Sequence, residues 1–150
     1  MRLLVSTKGF ALLLRLALCG VFLMAALPKL QEPGGFAEDV AAYQVTNRVL
    51  SGWVAIVLPW VELVCAVGLL TPWMRRASGI LLSILLTAFI CLHAYALLQG
   101  LDIGCGCFGK EAEDNTTNYL WLFTRNLVLL AGCITLLTYD LRNNPDKRHD

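Results

Sequence analysis

The chain has 150 residues, of which 57% are hydrophobic and only 15% charged, and its formal net charge is +1. Soluble domains carry about 25% charged residues, so an ordinary water-soluble protein is excluded, and the lack of a basic patch with interleaved aromatics excludes nucleic acid as a partner. Four mostly apolar runs, at residues 10–27, 52–71, 77–99 and 119–141, approach or exceed the ~20 residues that cross a bilayer as a helix; the expectation is one all-α membrane domain over 1–150, a four-transmembrane-helix bundle.

The first run follows Arg2 and Lys8 and resembles a signal peptide, but Arg15 interrupts its apolar stretch and Leu18 stands where a lipoprotein signal needs a small residue before Cys19. It reads as a retained helix. Arg15, Cys19, Phe22, Ala26 and Lys29 recur at helical spacing, which puts two cations and a thiol on one stripe that should face inward. The loop that follows opens with the breaker cluster "PKLQEPGG". It continues as "FAEDVAAYQV", where Phe36, Val40 and Tyr43 share a face opposite Glu38 and Asp39, the pattern of a short amphipathic helix that either lies at the membrane surface or caps the bundle.

The second run contains Pro59, which frees a backbone carbonyl one turn earlier, and Glu62. The short turn "PWMRRAS" forces the second and third runs antiparallel. The third run carries Cys91 and His93, and the fourth carries Arg125. Ionisable residues inside the membrane usually face the bundle interior and pair there, so Arg15, Glu62, His93 and Arg125, with Lys29 on the stripe, form a candidate intramembrane polar cluster centred on Glu62. Two readings stand side by side: an ion pair that only fixes helix register, and a proton or quinone site with His93 as the group that titrates near neutral pH.

Lysine and arginine are retained on the cytoplasmic side. Seven lie at the N-terminus, the second loop and the tail (Arg2, Lys8, Arg75, Arg76, Arg142, Lys147, Arg148), against three in the first and third loops (Lys29, Arg48, Lys110). Both termini are therefore expected in the cytoplasm of a bacterial inner membrane. The loop "GLDIGCGCFGKEAEDNTTN" then lies on the oxidising, periplasmic side, where disulfides persist.

Six cysteines divide between these environments. Cys19, Cys65, Cys91 and Cys133 sit among aliphatic residues, where cysteine packs as a small hydrophobe; Cys91, two residues from His93, is the candidate exception. Cys105 and Cys107 flank Gly106 in the polar loop. A bridge between them would close a small strained ring, and strained exposed disulfides are the more oxidising, exchangeable kind. Lys110 is the nearest cation able to favour a thiolate. Thiol–disulfide chemistry, a staple that merely closes the loop, and part of a metal site are the competing readings. The loop lacks the further Cys or His that a structural zinc needs, so no metal is assigned.

These features together resemble the MauE/DoxX-type redox-associated membrane proteins. The resemblance rests on "LLLRLALCGVFLMAALPKL" with Arg15 and Lys29, "FAEDVAAYQV" after a Pro-Gly loop, "LPWVELVCAVGLL" with Glu62, and "GCGCFG" before a last helix with Arg125–Asn126. It implies a four-helix membrane bundle that helps mature a disulfide-rich periplasmic dehydrogenase subunit beside a thioredoxin-like partner, with a quinone as the cofactor suggested by the DoxX side. The expected function is thiol–disulfide exchange through Cys105 and Cys107 with a periplasmic redox protein. The alternative is a non-catalytic membrane anchor for a redox complex.

Overall fold

The computed structural model describes residues 2–45, 47–99 and 119–143, with side chains from residue 8 onward and, in the last segment, from residue 123. Five helices occupy them: α1 Arg2–Gln31, α2 Pro33–Ala42, α3 Arg48–Gly68, α4 Arg75–Leu98 and α5 Tyr119–Asn143. Three contain stretches long and apolar enough to cross a bilayer, Lys8–Gln31, Arg48–Gly68 and Arg75–Leu98. The fifth has comparable length but carries Arg125, Asp140 and Arg142 along it.

The long helices form a ring. Helix α1 packs against α3 and α5, while α4 packs against the same two from the opposite side. Helix α2 lies mainly on α3, with Phe36 buried and Glu38 exposed. Ala11, Leu18, Cys19 and Phe22 of α1 meet Cys65, Ala66 and Leu69 of α3, Leu82 and Leu86 of α4, and Cys133 and Leu136 of α5 in the core. All five residues of the α1 stripe, Arg15, Cys19, Phe22, Ala26 and Lys29, are buried.

The outside is apolar too. Leu12, Leu13, Leu16, Trp53, Ile56, Trp60, Val64 and Ile84 are among many large hydrophobic side chains left exposed, far beyond the patches a water-soluble monomer tolerates. Hydroxyl groups in the helices turn back onto their own backbones: Ser83 Oγ donates to the Gly79 carbonyl at 2.7 Å, Thr87 Oγ1 to Ser83 at 2.8 Å and Thr135 Oγ1 to Ala131 at 2.7 Å. Such internal satisfaction is what a medium without water demands.

Local chemistry sets the ends of the elements. Asn47 caps α3, its Oδ1 accepting from the Leu50 amide at 3.0 Å. Pro33 occupies the first turn of α2, where its missing N–H costs nothing, and Gln44 at φ 55° ends the segment after it. The α3–α4 connection is tight because Gly68 lets the chains approach: a Cβ there would overlap Ser78 Oγ. Pro28 does not end the first helix, although the breaker cluster after residue 27 placed a loop there. Helix α1 continues to Gln31, and Lys29 in this last turn is anchored from the side.

Candidate functional site

That anchor is Glu62. Its carboxylate accepts from Lys29 Nζ through both oxygens at 2.8 Å, and the two side chains are only 1% and 3% exposed. The ammonium also lies 5.1 Å from the Phe36 ring centre and 5.4 Å from that of Phe89, within the range of cation–π attraction. One carboxylate and two aromatic faces therefore stand in for the water that Lys29 has lost. The contacts come from α1, α2, α3 and α4, so the pair ties four elements together at one level.

Above this pair, toward the C-terminal end of α4, lies His93, 4% exposed. Its Nδ1–H donates to the Phe89 carbonyl one turn earlier at 2.6 Å, and the Tyr43 ring stands edge-on to it at 6.0 Å and 67°. Arg125 and buried Asn126 reach the same place from α5. Lys29, Glu62, His93, Arg125 and Asn126, with Phe22 and Phe89, line a cavity of about 30 Å³.

Arg15 does not join them. It pairs with Asp140 in a second buried ion pair between α1 and α5. Lys29 lies fourteen residues further along α1, about 21 Å at 1.5 Å per residue. The polar residues thus occupy two levels, and the partner of Glu62 is Lys29 rather than Arg15 or Arg125. Asp140 was missed in the sequence because it lies at the edge of the last apolar run and reads as the start of the polar tail. The depth of Arg15, measured from its own helix end, was the available signal. Asn126 gave none beyond its place next to Arg125.

Among the described cysteines, Cys19, Cys65 and Cys133 are buried thiols and Cys91 is exposed on the outer face of α4. Cys105 and Cys107 lie outside the described residues. Their loop joins Leu98 at the end of α4 to Tyr119 at the start of α5, so it connects the helix ends nearest His93 and Arg125.

The family model "Methylamine utilisation protein MauE" matches residues 7–139, from within α1 to within α5. The methylamine utilization protein MauE of Paracoccus denitrificans is 35% identical over 127 residues, 83% of this chain and 67% of the relative. Its namesake in Paracoccus versutus is 33% identical over 120 residues, 79% of this chain and 63% of the relative. That of Methylophilus methylotrophus is 33% identical over 94 residues, 62% of this chain and 50% of the relative. The matched stretches thus cover between half and two thirds of the relatives' length. No solved structure matches the chain.

Proposed function

The chain belongs to the MauE family, and from that premise we propose that it is a four-span protein of the bacterial inner membrane that exchanges thiols and disulfides with a periplasmic redox protein during methylamine utilisation. In this reading α5 is the fourth span, since it packs along α4 and α1 as part of the ring, and α2 lies at the outer surface. The orientation draws support from Lys29: once it is counted as a core residue, the outer loops keep only Arg48 and Lys110 against seven basic residues on the inner side. Lipid covers the apolar exterior, and the single domain spans 1–150.

The observation that carries the reading is the Cys-Gly-Cys sequence itself, two thiols one residue apart in the long polar loop between α4 and α5. The thiolate of one cysteine attacks a disulfide of a thioredoxin-like partner, forming a mixed disulfide and releasing a partner thiolate that takes up a proton. The second cysteine then attacks the mixed bond, closing Cys105–Cys107 and freeing the partner as a dithiol. The reverse sequence carries electrons the other way, and both are balanced without a further reagent. By this route the protein assists maturation of a disulfide-rich periplasmic enzyme.

Removing the resolving cysteine stops the reaction at the mixed disulfide. Either Cys105→Ser or Cys107→Ser, but not both, is expected to accumulate a covalent complex with a periplasmic thioredoxin-like protein, visible as a reducible band on a thiol-free gel. The position of Lys110 favours Cys107 as attacker. If neither variant traps a partner and the double variant supports full growth of the host on methylamine, the protein is instead a membrane anchor for the redox complex, with the cysteines only stapling the loop.

A further inference from the structure

We propose that the outer end of the bundle is an acidic docking face, made by α2 together with the dithiol loop, and that the redox protein it exchanges with presents a positively charged surface around its own disulfide. The inference rests on the dithiol reading and on the orientation given above, and adds the chemistry of the partner.

Charge is the first observation. The chain has 11 acidic residues, and two of them, Glu62 and Asp140, are held in buried ion pairs. Seven of the others fall in the two outer segments. Glu32, Glu38 and Asp39 lie between α1 and α3, and Asp102, Glu111, Glu113 and Asp114 lie between α4 and α5. Only Arg48 and Lys110 oppose these seven, which leaves the outer end with a formal charge of −5. Membrane insertion does not demand this excess: the topology rule acts on lysine and arginine, and acidic residues contribute little to it.

Position is the second observation. Helix α2 is fixed beside the helix end from which the dithiol loop departs. Its Phe36 is buried, with the ring centre 5.1 Å from Lys29 Nζ. Tyr43, just past its end, stands edge-on to His93 of α4 at 6.0 Å. His93 lies five residues before Leu98, the last residue of α4, about 7.5 Å along the helix, and the loop follows. With Phe36 turned inward, Glu38 is exposed, as is Glu32 before the helix start. The carboxylates of α2 and those of the loop sequence therefore belong to one end of the molecule.

Electrostatics then selects the partner. A face of one sign concentrates molecules of the opposite sign and raises their association rate by roughly 10- to 1,000-fold at low salt. The same field repels an acidic protein, so the face discriminates among the disulfides that could reach it. The dithiol supplies the reaction, and the carboxylates choose what meets it.

The test uses the full-length reduced protein in nanodiscs of zwitterionic phosphatidylcholine. Cys91→Ser removes the exposed thiol of α4. Three small disulfides serve as probes: cystamine with two ammonium groups, hydroxyethyl disulfide with no charge and dithiodiglycolate with two carboxylates. In each reaction Cys105 and Cys107 close to a disulfide and the probe leaves as two thiols, so electrons and protons balance. Mass spectrometry follows the closure, and each rate is divided by that of the same probe with dithiothreitol, which removes intrinsic reactivity. The corrected rates are expected to fall from cystamine through hydroxyethyl disulfide to dithiodiglycolate, spanning about tenfold or more at about 10 mM salt and converging at about 1 M. Glu38→Lys, an exposed change on α2, is expected to narrow the span about twofold or more. Equal corrected rates, a fastest anionic probe, a span insensitive to salt or one untouched by Glu38→Lys would each overturn the acidic face while the dithiol reading stands. Failure of all three probes overturns the dithiol reading itself, and the docking proposal with it.

Discussion

A lysine ammonium deep in an apolar bundle is tolerated because each hydration contact has a replacement: two carboxylate oxygens at 2.8 Å and two aromatic faces within 5.4 Å. The same accounting makes the pair fragile one partner at a time. Lys29→Met leaves a buried carboxylate without its cation, and Glu62→Gln leaves the cation without its carboxylate. Each is expected to cost about 3–5 kcal/mol, while the double variant, which removes both charges and keeps the volume, should recover most of the loss. Thermal unfolding of the purified protein in detergent checks this, and losses that simply add in the double variant would contradict the pairing. The Arg15–Asp140 pair follows the same rule. Asp140→Leu is expected to destabilise by a similar amount, and its effect should be independent of Glu62→Gln, since sites this far apart are additive.

At the scale of elements, the α3–α4 hairpin depends on a close approach. Gly68 is buried against α4, and a methyl group added there would overlap Ser78 Oγ, with Ser78 Cβ at 3.3 Å and Met74 Cβ at 3.4 Å behind it. The hydroxyl can rotate away; the carbon atoms move only with the backbone. Gly68→Ala is therefore expected to cost about 1–3 kcal/mol as an overpacked contact. Ser78→Ala in the same chain should return part of it, a coupling that a double-mutant cycle in detergent unfolding measures. Equal losses with and without Ser78→Ala would mean that the hydroxyl is not the obstacle. The last turn of α1 shows the opposite balance: Pro28 removes one backbone donor inside the helix, yet the turn persists because Lys29 is held from across the bundle.

At the scale of the whole molecule, the arrangement of charge across the bilayer makes a prediction of its own. In the proposed orientation, with both termini inside, a membrane-impermeant maleimide applied to intact, reduced cells should label Cys105 and Cys107, whereas a cysteine introduced by Arg76→Cys should react only after permeabilisation. Cys91 is exposed but on the apolar face of α4, where an aqueous reagent does not reach. Labelling of the loop only after permeabilisation would invert the orientation and remove the oxidising compartment on which the dithiol chemistry depends.

The apolar runs and the inward face of α1 are legible in the sequence. Hydropathy and a period near 3.6 are local properties, so the apolar runs and the buried stripe from Arg15 to Lys29 could be read without any contact being known, whereas the breaker cluster hid that α1 runs through Pro28 and that α2 starts at Pro33. The sequence also showed which ionisable residues must be sheltered, because a charge inside an apolar run is too costly to leave facing lipid. Which charges meet was decided only by the tertiary structure. Pairing depends on the relative depth and rotation of helices far apart in the chain; Arg15 and Lys29 lie about 21 Å apart along α1, and only the depth at which α3 packs beside α1 decides which of them Glu62 meets. Asp140 gained its role, and Lys29 its pairing with Glu62, because packing fixed those depths.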